Sequence, residues 1–549
     1  MSYKFLQSRL TMILLLMIFV LMQQPRLLSQ PQERPTQAPQ AAQEQPPQQR
    51  AEQPPARPDR RPGPGQAPSA MPRNTAAPPV ADNIDETPSV TRHEITVGGK
   101  KLAYTATVAQ MPIMNSNGDT EAHIFYMAYT LDGVGDPAKR PLTFAFNGGP
   151  GSASIWVHMG GMGPRRAKLL DDGTMPPPPF QLVDNEDTWL EATDLVFIDP
   201  VGTGYSRAMT MEAARKFNGV QGDIQSVGEF IRTYLKRNAR YLSPLFLAGE
   251  SYGTFRSAGV AGYLIDQGIA FNGVALISTI LQYQTHRFNP GNDTPYPLFL
   301  PTFTADAWYH KKLAPELQKD LKATLKEVEG WALTGYIQAL AQGDRLKPDE
   351  RKGVIAKLAR YTGLDPEYID HSNLRIDVAH FTRELLRDQR LTIGRLDGRI
   401  SGPSPLDAGE RAEFDPSSTI IRPPFQAAFE NYVRTELGYK TDLLYHVSGG
   451  ILPWDYGLEN AYSSTSELLR NAFAKNPHLK LLVMQGYYDL ATPYFAAEYE
   501  INHLGIHPSV HKNISWAYYP SGHMMYIEKE SRKKFKDDMS AFIRSATQP

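Results

Sequence analysis

Residues 245–253 read Leu-Phe-Leu-Ala-Gly-Glu-Ser-Tyr-Gly, an apolar run that ends in a Gly-x-Ser-x-Gly pentapeptide. The run predicts a buried strand, and the residues from Thr254 onward predict a helix. A strand-to-helix turn this tight strains the backbone of Ser251, and small flanking glycines avoid clashes. The hydroxyl of Ser251 then projects above the sheet, at a helix N-terminus that favours developing negative charge. The stretch therefore predicts a strand–helix architecture with a nucleophilic serine at its edge.

Other short apolar runs, each followed by Gly, Pro, Asp or Ser, recur on both sides of this stretch. Such runs are typical of strands that are buried on both faces of a largely parallel sheet. The predicted strands are Leu142–Phe146, Leu195–Ile198, Leu245–Ala248, Val274–Ile277 and Leu481–Gln485. Two β-rich stretches before them predict an antiparallel entry to the sheet, and residues 223–238 have helical apolar spacing. We therefore predict an α/β fold with a mostly parallel central sheet and helices on both faces.

A base and an acid for the serine are predicted further along the chain. A serine hydroxyl is a weak nucleophile that needs a base oriented by a third group, and in hydrolases of this architecture the chain order is Ser, acid, His. The strand Leu481–Gln485 is followed by Asp489, and the strand-like segment Ile514–Tyr519 is followed by His523. Because carboxyl ends of parallel strands share one edge, we expect Ser251, Asp489 and His523 to meet there.

A glycine-rich loop, Asn-Gly-Gly-Pro-Gly at residues 147–151, follows the strand Leu142–Phe146. Glycines let backbone amides approach a reacting oxygen closely. The loop is the expected second wall of an oxyanion hole, opposite the amide that follows the nucleophile. We assign the two donors to the N–H groups of Gly149 and Tyr252. A surface turn is the alternative interpretation of the loop.

Composition excludes several classes of function. The 549 residues include 57 Lys and Arg against 58 Asp and Glu, a net charge of −1, so no basic footprint for nucleic acid is present. The chain has no cysteine, which excludes disulfides, thiolate metal sites and a cysteine nucleophile. His503, His507 and His511 are spaced by four, but Gly505 and Pro508 interrupt any helix that would align them. We predict no metal site and no cofactor.

The N-terminal segment predicts export. Lys4 and Arg9 precede an apolar run from Leu10 to Met22, which is shorter than the roughly 20 residues of a membrane-spanning helix and fits a signal-peptide core of roughly 7–15 residues. We predict a signal peptide over residues 1–29, with an uncleaved anchor as the alternative. Since an exported chain without cysteine does not fit a disulfide-forming secretory pathway, we expect the bacterial periplasm or the extracellular space.

The remaining chain divides by composition. Residues 30–88 are rich in Pro and Gln and poor in large apolar residues, which predicts a disordered linker. Residues 89–281 and 446–549 carry the predicted strands and form the two parts of the α/β core. Residues 282–445 are charged and helix-prone, and predict a helical cap inserted into the core. A separate domain that does not contact the site is the alternative.

Four motifs together resemble the serine carboxypeptidase family of α/β hydrolases, and the predicted export indicates a bacterial secreted member. They are Asn-Gly-Gly-Pro-Gly at 147–151, Asp-Pro-Val-Gly-Thr-Gly-Tyr-Ser at 199–206, Gly-Glu-Ser-Tyr at 249–252 and Gly-His-Met at 522–524. The resemblance implies the α/β-hydrolase fold and a Ser251–His523–Asp489 triad. It also implies that Asn147 and Glu250 bind the free carboxylate of the substrate's last residue. A carboxylate binds beside Glu250 only if Glu250 is protonated.

The chain departs from the family pattern near this carboxylate site. Ala145 stands where relatives have tryptophan, and Gly161 stands at the position of a second glutamate that helps to bind the carboxylate. Met525 and Tyr526 replace a Val-Pro pair. Arg165 or Arg166 is a candidate cation for the same carboxylate.

We therefore expect a serine-type carboxypeptidase that releases C-terminal amino acids from peptides through an acyl-enzyme. The alternative is an esterase, an acyltransferase or another peptidase with the same triad, and a third interpretation is a hydrolase-fold binding protein. The expected partners are peptide substrates. No nucleic acid is expected, and no stable membrane insertion unless the N-terminal segment stays uncleaved.

Overall fold

The structure is a computed structural model that describes residues 80–81, 84–406, 408–451, 453–457 and 461–548. The predicted signal peptide (1–29) and most of the predicted linker (30–88) lie outside the described residues, and both stay predictions. The first strand begins at Ser89.

Within the described residues the chain forms fourteen strands. They are β1 (Ser89–Val97), β2 (Lys100–Met114), β3 (Thr120–Leu131), β4 (Leu142–Phe146), β5 (Arg165–Ala167), β6 (Leu182–Asp184), β7 (Asp194–Ile198), β8 (Arg207–Ala208), β9 (Leu245–Ser251), β10 (Gly273–Thr279), β11 (Leu391–Ile393), β12 (Ser401–Pro403), β13 (Lys480–Gly486) and β14 (Ile514–Tyr519).

Ten of the described strands form one sheet, in the order β1-β2-β3-β7-β4-β9-β10-β13-β14, with β8 beside β3. The pairs from β1 to β7 are antiparallel, and every pair from β7 to β14 is parallel. The remaining four strands form two small hairpin-like sheets. The antiparallel entry and the parallel core both follow the prediction.

The sheet is covered on both faces because side chains alternate along each strand. In β4, Phe144 and Phe146 pack into the apolar cluster on one face, and Ala145 packs into the cluster on the other. The same alternation in β9 sends Leu247 to the first face and Phe246 to the second. Burial on both faces explains why these strands read as continuous apolar runs. The prediction of an α/β-hydrolase type of fold is confirmed.

The described helices connect and cover the strands. They are α1 (Ile155–Val157), α2 (Met211–Phe217), α3 (Val220–Arg237), α4 (Tyr252–Ile265), α5 (Pro295–Tyr309), α6 (Leu321–Trp331), α7 (Ile337–Gln342), α8 (Pro348–Thr362), α9 (Pro366–His371), α10 (Val378–Glu384), α11 (Pro416–Asn431), α12 (Ser466–Lys475), α13 (Tyr494–Asn502) and α14 (Lys529–Thr547).

Short 3-10 or π turns lie at Pro137–Lys139, His158–Met162, Trp189–Glu191, Leu317–Lys319, Ala332–Tyr336, Gly343–Arg345, Arg387–Gln389, Tyr432–Glu436, Pro508–Asn513 and Met525–Ile527. In the described part of the chain, a helix long and apolar enough to cross a bilayer was not found.

The segment predicted as a cap contains two groups of helices with different packing. Helices α5 to α10 share a third apolar cluster, which also includes Tyr488 and Tyr494 from the core. Helix α11 instead places Phe425 and Phe429 in the cluster on the second face of the sheet. The boundaries 282–445 stay a prediction, but α11 packs as part of the core layer.

A buried ion pair joins the two helices of the first face to the loop after β4. Arg256 of α4 donates from Nε to the Asp223 carboxylate of α3 at 2.8 Å, and both side chains are fully buried. A second guanidinium nitrogen of Arg256 donates to the backbone carbonyl of Asn147 at 2.6 Å. The guanidinium also lies over the rings of Phe146 and Tyr252. Arg256 therefore fixes the start of the glycine-rich loop relative to α4.

We expect Asp223→Ala to lower the free energy of unfolding by about 3–5 kcal/mol, because it leaves the Arg256 charge buried without its partner. Urea unfolding followed by circular dichroism measures the effect. The control is Asp349→Ala, which removes one member of the exposed Asp349–Lys352 pair and is expected to leave the urea midpoint unchanged. Equal midpoint shifts in the two variants would contradict a special role for the buried pair.

Candidate active site

Ser251 occupies the junction at which β9 runs directly into α4. Its φ is +60° and its ψ is −130°, a conformation that costs a non-glycine residue about 1–3 kcal/mol. A Cβ at Gly249 would overlap the carbonyl oxygen of Gly253, and a Cβ at Gly253 would lie 2.9 Å from the carbonyl oxygen of Phe146. Neither glycine admits a side chain, so the pentapeptide has the composition that this turn requires.

Asp489 follows β13 and is fully buried, and four donors surround its carboxylate. One oxygen accepts the backbone N–H groups of Ala491 and Thr492 at 2.8 and 3.0 Å. The other oxygen accepts the Thr492 hydroxyl at 2.7 Å and Nδ1 of His523 at 2.8 Å. Since an ionised carboxylate only accepts, Nδ1 of His523 carries the proton in this bond. Nε2 is thereby left as the basic nitrogen of the neutral ring.

The charge state of His523 depends on two opposing effects. Burial lowers the pKa of His523, but the Asp489 carboxylate raises it by charge and hydrogen bonding, and Glu250 adds to the rise. The net result is a pKa above the ordinary histidine value. A base with a raised pKa binds a proton more strongly, which suits a group that must take one from an alcohol.

The end of β10 connects Ser251 to the loop that carries His523. Ser251 is the register partner of Thr279 at the end of β10. The adjacent Ser278 donates its hydroxyl to the backbone carbonyl of His523 at 2.7 Å. Among the described hydrogen bonds, none joins the Ser251 hydroxyl to the His523 ring. Catalytic hydrogen bonds are often long without substrate and tighten in its presence. The structure brings Asp489 and His523 into contact and places Ser251 at the end of β9, with β10 between β9 and the strand that precedes Asp489.

Residues 396–399 belong to the predicted cap and form hydrogen bonds with the loop that carries His523. The carbonyl of Leu396 accepts the backbone N–H of His523 at 2.6 Å, and the Asp397 carboxylate accepts that of Gly522 at 3.1 Å. Arg399 donates to the same carboxylate at 2.7 Å and to the carbonyl of Pro520 at 2.6 Å. We call residues 396–399 the histidine clamp.

The histidine clamp also reaches the aspartate loop, because Gly398 donates its N–H to the carbonyl of Tyr488 at 3.0 Å. Both loops that present the acid and the base are therefore held by one short segment of the insertion.

The glycine-rich loop after β4 packs against the start of α4. A Cβ at Gly148 would lie 2.6 Å from the amide nitrogen of Gly253 and would also overlap that of Tyr252. Gly149 has φ +104°, a conformation that favours glycine. The N–H of Tyr252 belongs to the first turn of α4, where helix amides have no intrahelical partner. The loop and the helix N-terminus thus lie side by side, as two walls of an oxyanion hole would.

Asn147 begins the glycine-rich loop, and Glu250 precedes Ser251. Both side chains are buried and hydrogen-bonded to each other. The backbone N–H of Val157 donates to Oδ1 of Asn147 at 3.0 Å, so the amide nitrogen of Asn147 points the other way. That nitrogen donates to Oε1 of Glu250 at 2.9 Å. The hydroxyl of Tyr526 donates to Oε2 of Glu250.

Burial raises the pKa of Glu250 to about 7. His523 and the hydrogen bonds from Tyr526 and Asn147 oppose this rise, and the Asp489 charge adds to it. Glu250 therefore holds a proton in mildly acidic solution, which an exposed glutamate does not.

The departures from the family pattern have clear positions. Ala145 is fully buried within the second-face cluster, and the ring of Tyr526 covers Gly161. Arg165 pairs with Asp184 and Glu436, and Arg166 pairs with Glu186. Both candidate cations are thus already paired with carboxylates of the protein itself.

Sequence reasoning did not find Thr492, the histidine clamp or the role of Tyr526 as a partner of Glu250. The Met-Tyr pair after the Gly-His-Met motif was the one available signal for Tyr526. The clamp and Thr492 carry no motif, since their roles depend on loops meeting in space.

The three spaced histidines do not converge. His503 stacks on Tyr499 and bonds its carbonyl, and His507 bonds Ser509. In the part of the chain that the structure describes, no cluster of three or more His, Asp or Glu side chains is arranged to hold a metal ion.

Comparisons with known proteins give one consistent similarity. A family model described as serine carboxypeptidase matches residues 112–274. Serine carboxypeptidase-like 15 of Arabidopsis thaliana is 30% identical over 135 residues, which is 24% of this chain and 29% of that protein. Pheromone-processing carboxypeptidase KEX1 of Coprinopsis cinerea is 33% identical over 139 residues, 25% of this chain and 21% of that protein. The chain thus spans less than a third of the length of either relative.

A solved structure extends the similarity at the level of the fold. The crystal structure of Kex1(delta)p, a prohormone-processing carboxypeptidase from Saccharomyces cerevisiae, superposes with a TM-score of 0.50 at 15% identity. The alignment covers 80% of this chain and 91% of that one. The family match contains Asn147, Glu250 and Ser251 and ends before Asp489 and His523.

We expect a fluorophosphonate probe to label the protein at Ser251 and to leave Ser251→Ala unlabelled. Asp489→Asn should slow labelling by a factor on the order of 10³ or more, because the amide favours the wrong tautomer of His523. Mass spectrometry of the labelled peptide identifies the site, and rates come from a time course. Asp388→Asn, at an exposed carboxylate that pairs with Lys312, is the control with an unchanged rate. Labelling of Ser251→Ala at the wild-type rate would reject Ser251 as the nucleophile.

The histidine clamp gives a separate prediction. Arg399→Ala should slow labelling of Ser251 by about 10- to 100-fold, because small displacements of a reacting group carry costs of this size. The matched control is Arg351→Ala, which removes an arginine that bonds Asp370 elsewhere in the insertion. If both arginine variants react as fast as the wild type, the clamp does not position His523.

Proposed function

We propose that the protein is a serine-type carboxypeptidase that releases C-terminal amino acids from peptides. The observation that carries the proposal is Glu250, a buried carboxyl whose pKa is about 7, next in sequence to Ser251 and hydrogen-bonded to Asn147. A neutral acid at this point can donate a hydrogen bond to a carboxylate bound beside Ser251, which cleavage of internal bonds or simple esters does not require.

In the proposed reaction, Nε2 of His523 takes the proton as the Ser251 oxygen attacks the carbonyl of the last peptide bond. The N–H groups of Gly149 and Tyr252 stabilise the oxyanion. Asp489 holds the ring tautomer and stabilises the imidazolium. The imidazolium then protonates the leaving amino group, and the C–N bond breaks to leave an acyl-enzyme. His523 then takes a proton from a water molecule that attacks the acyl carbon, and the imidazolium returns the proton to the Ser251 oxygen as the ester bond breaks and the shortened peptide leaves.

Recognition of the substrate's terminal carboxylate falls to Asn147 and Glu250. The amide nitrogen of Asn147 has two hydrogens, of which one goes to Glu250. The second hydrogen, together with the O–H of neutral Glu250, offers two donors to the carboxylate. Two ionised carboxylates within hydrogen-bonding distance would repel each other, so binding of the substrate's carboxylate requires the protonated form of Glu250.

The rival function is an esterase, an acyltransferase or another peptidase with the same triad. It is favoured by Gly161, which provides no second carboxyl group. A hydrolase-fold binding protein is the further alternative, and the fluorophosphonate experiment separates it from any enzyme.

We also propose export, to the bacterial periplasm or the extracellular space, from the charge and apolar pattern of residues 1–29. The similar proteins named above come from a plant and from fungi, and the bacterial origin rests on the absence of cysteine alone.

The decisive test compares one blocked peptide with a free and with an amidated C-terminus. We expect the free form to be cleaved at its last bond with a KM that rises about tenfold per pH unit above pH 7, as Glu250 loses its proton. Toward low pH, kcat should fall as His523 becomes protonated. Mass spectrometry of the product ladder at several pH values measures both effects.

Glu250→Gln is the companion variant. The amide cannot ionise, so the alkaline rise in KM should disappear while the fall in kcat at low pH remains. If the amidated peptide is cleaved as fast as the free one at every pH, terminal-carboxylate recognition is absent and the rival function stands.

A further inference from the structure

Tyr526 is a fully buried tyrosine whose hydroxyl is committed to Glu250. Its ring lies directly over two glycines of the turn after α1. A Cβ at Gly161 would lie 2.7 Å from the Cβ of Tyr526, and a Cβ at Gly160 would overlap its ring. Phe535 packs against the same ring, with centroids 5.7 Å apart. The ring therefore fills space that a side chain at residue 160 would need, and the Cβ of Tyr526 lies where a side chain at residue 161 would begin.

The two oxygens of Glu250 have different partners. Oε1 accepts from Asn147, and Oε2 accepts from Tyr526. Burial raises the pKa of Tyr526 well above the ordinary tyrosine value, and the Glu250 charge adds to the rise, so its hydroxyl keeps its proton and acts as a donor. Both oxygens accept a hydrogen bond, but a phenol O–H is a stronger donor than an amide N–H, so Oε2 is the poorer place for the carboxyl's own proton. The proton of neutral Glu250 is therefore directed to Oε1, on the side of Asn147.

The charged groups around the Glu250–Tyr526 pair are His523, Asp489 and Arg532. His523 and Asp489 face Glu250 and act on it with opposite signs. On the side of Tyr526, Arg532 approaches Gly161 but donates to Asp187 at 2.9 Å and to Glu186. A hydrogen bond in such a buried place is electrostatically stronger than in water.

We propose that Tyr526 is a positioning residue that fixes which oxygen of Glu250 carries the proton, and thereby sets the pH range over which the substrate's terminal carboxylate binds. The inference rests on the proposed carboxypeptidase function and extends it to a residue outside the family motifs. Tyr526 covers Gly161, the position at which the resemblance puts a second glutamate, and its hydroxyl donates to Glu250.

The test is Tyr526→Phe, which removes the hydroxyl and keeps the ring over the two glycines. Tyr526 stabilises the ionised form of Glu250, so the loss of its hydrogen bond should raise the pKa of Glu250. The rise of KM on the alkaline side should then begin about one pH unit higher. At pH 5, KM for the free peptide should rise about tenfold, because the proton is no longer confined to Oε1. The kcat and all parameters for an ester substrate without a carboxylate should stay at wild-type values.

Tyr519→Phe is the matched control. Tyr519 is also fully buried, packs on Phe535 and donates its hydroxyl to a carboxylate, that of Asp538 at 2.6 Å. Removal of the Tyr519 hydroxyl should lower thermal stability as much as removal of the Tyr526 hydroxyl, and should leave the pH profile of KM unchanged.

A double variant shows whether Tyr526 acts through Glu250. In the Glu250→Gln background, Tyr526→Phe should leave the pH profile unchanged, since the titrating group is gone. A shift of the alkaline limb that persists in this background would overturn the proposal.

The outcomes for Tyr526 are separable from those for the function itself. If the wild type fails to distinguish free from amidated peptides, the proposed function falls. If the wild type distinguishes them and Tyr526→Phe leaves both KM and the pH limb unchanged, the role of Tyr526 falls and the function stands. Equal losses on the free peptide and on the ester would show a purely structural role and would also overturn the proposal.

Discussion

The positive φ of Ser251 is the constraint on which the rest of the site depends. A strand that ends in this conformation can continue as a helix without a connecting loop, and the side chain at the junction is turned out of both elements. The turn is compact only because Gly148, Gly249 and Gly253 bring three backbone segments into contact. Arg256 completes the arrangement, since its buried guanidinium joins α3, α4 and the carbonyl of Asn147. Ser251, the N–H of Tyr252 and the glycine-rich loop are therefore positioned by one packed unit.

Much of this architecture could be predicted from the sequence, because the parallel strands are buried on both faces and read as short apolar runs. The prediction that Ser251, Asp489 and His523 lie at one edge of the sheet rests on the same runs, since each residue comes at the end of a strand or shortly after it. The prediction for Glu250 came from its resemblance to a family motif, and the raised pKa follows from its burial. What the sequence could not supply was contact between distant segments. Tyr526 and Glu250 are far apart in the chain, and no pattern in either segment indicates that they share a hydrogen bond.

The insertion shows the same limit. The charge and helix pattern predicts a cap, which stays a prediction, and does not indicate that residues 396–399 hold the loops of both Asp489 and His523 through backbone groups, an aspartate and an arginine. Helix α11, from the same predicted segment, belongs to the layer that covers the second face of the sheet. Part of the insertion is thus built into the edge of the sheet at which Asp489 and His523 lie.

The fit of Tyr526 against Gly160 and Gly161 also restricts how this site can change over evolutionary time. A side chain at position 161 would collide with the tyrosine, and a smaller residue at 526 alone would leave an empty slot and an acid without its donor. Neither exchange is neutral by itself. Because a side chain at 161 would meet the Cβ of Tyr526, which any residue except glycine also has, exchanging the tyrosine alone does not make room for a bulkier residue there, and the backbone at 526 would have to shift as well.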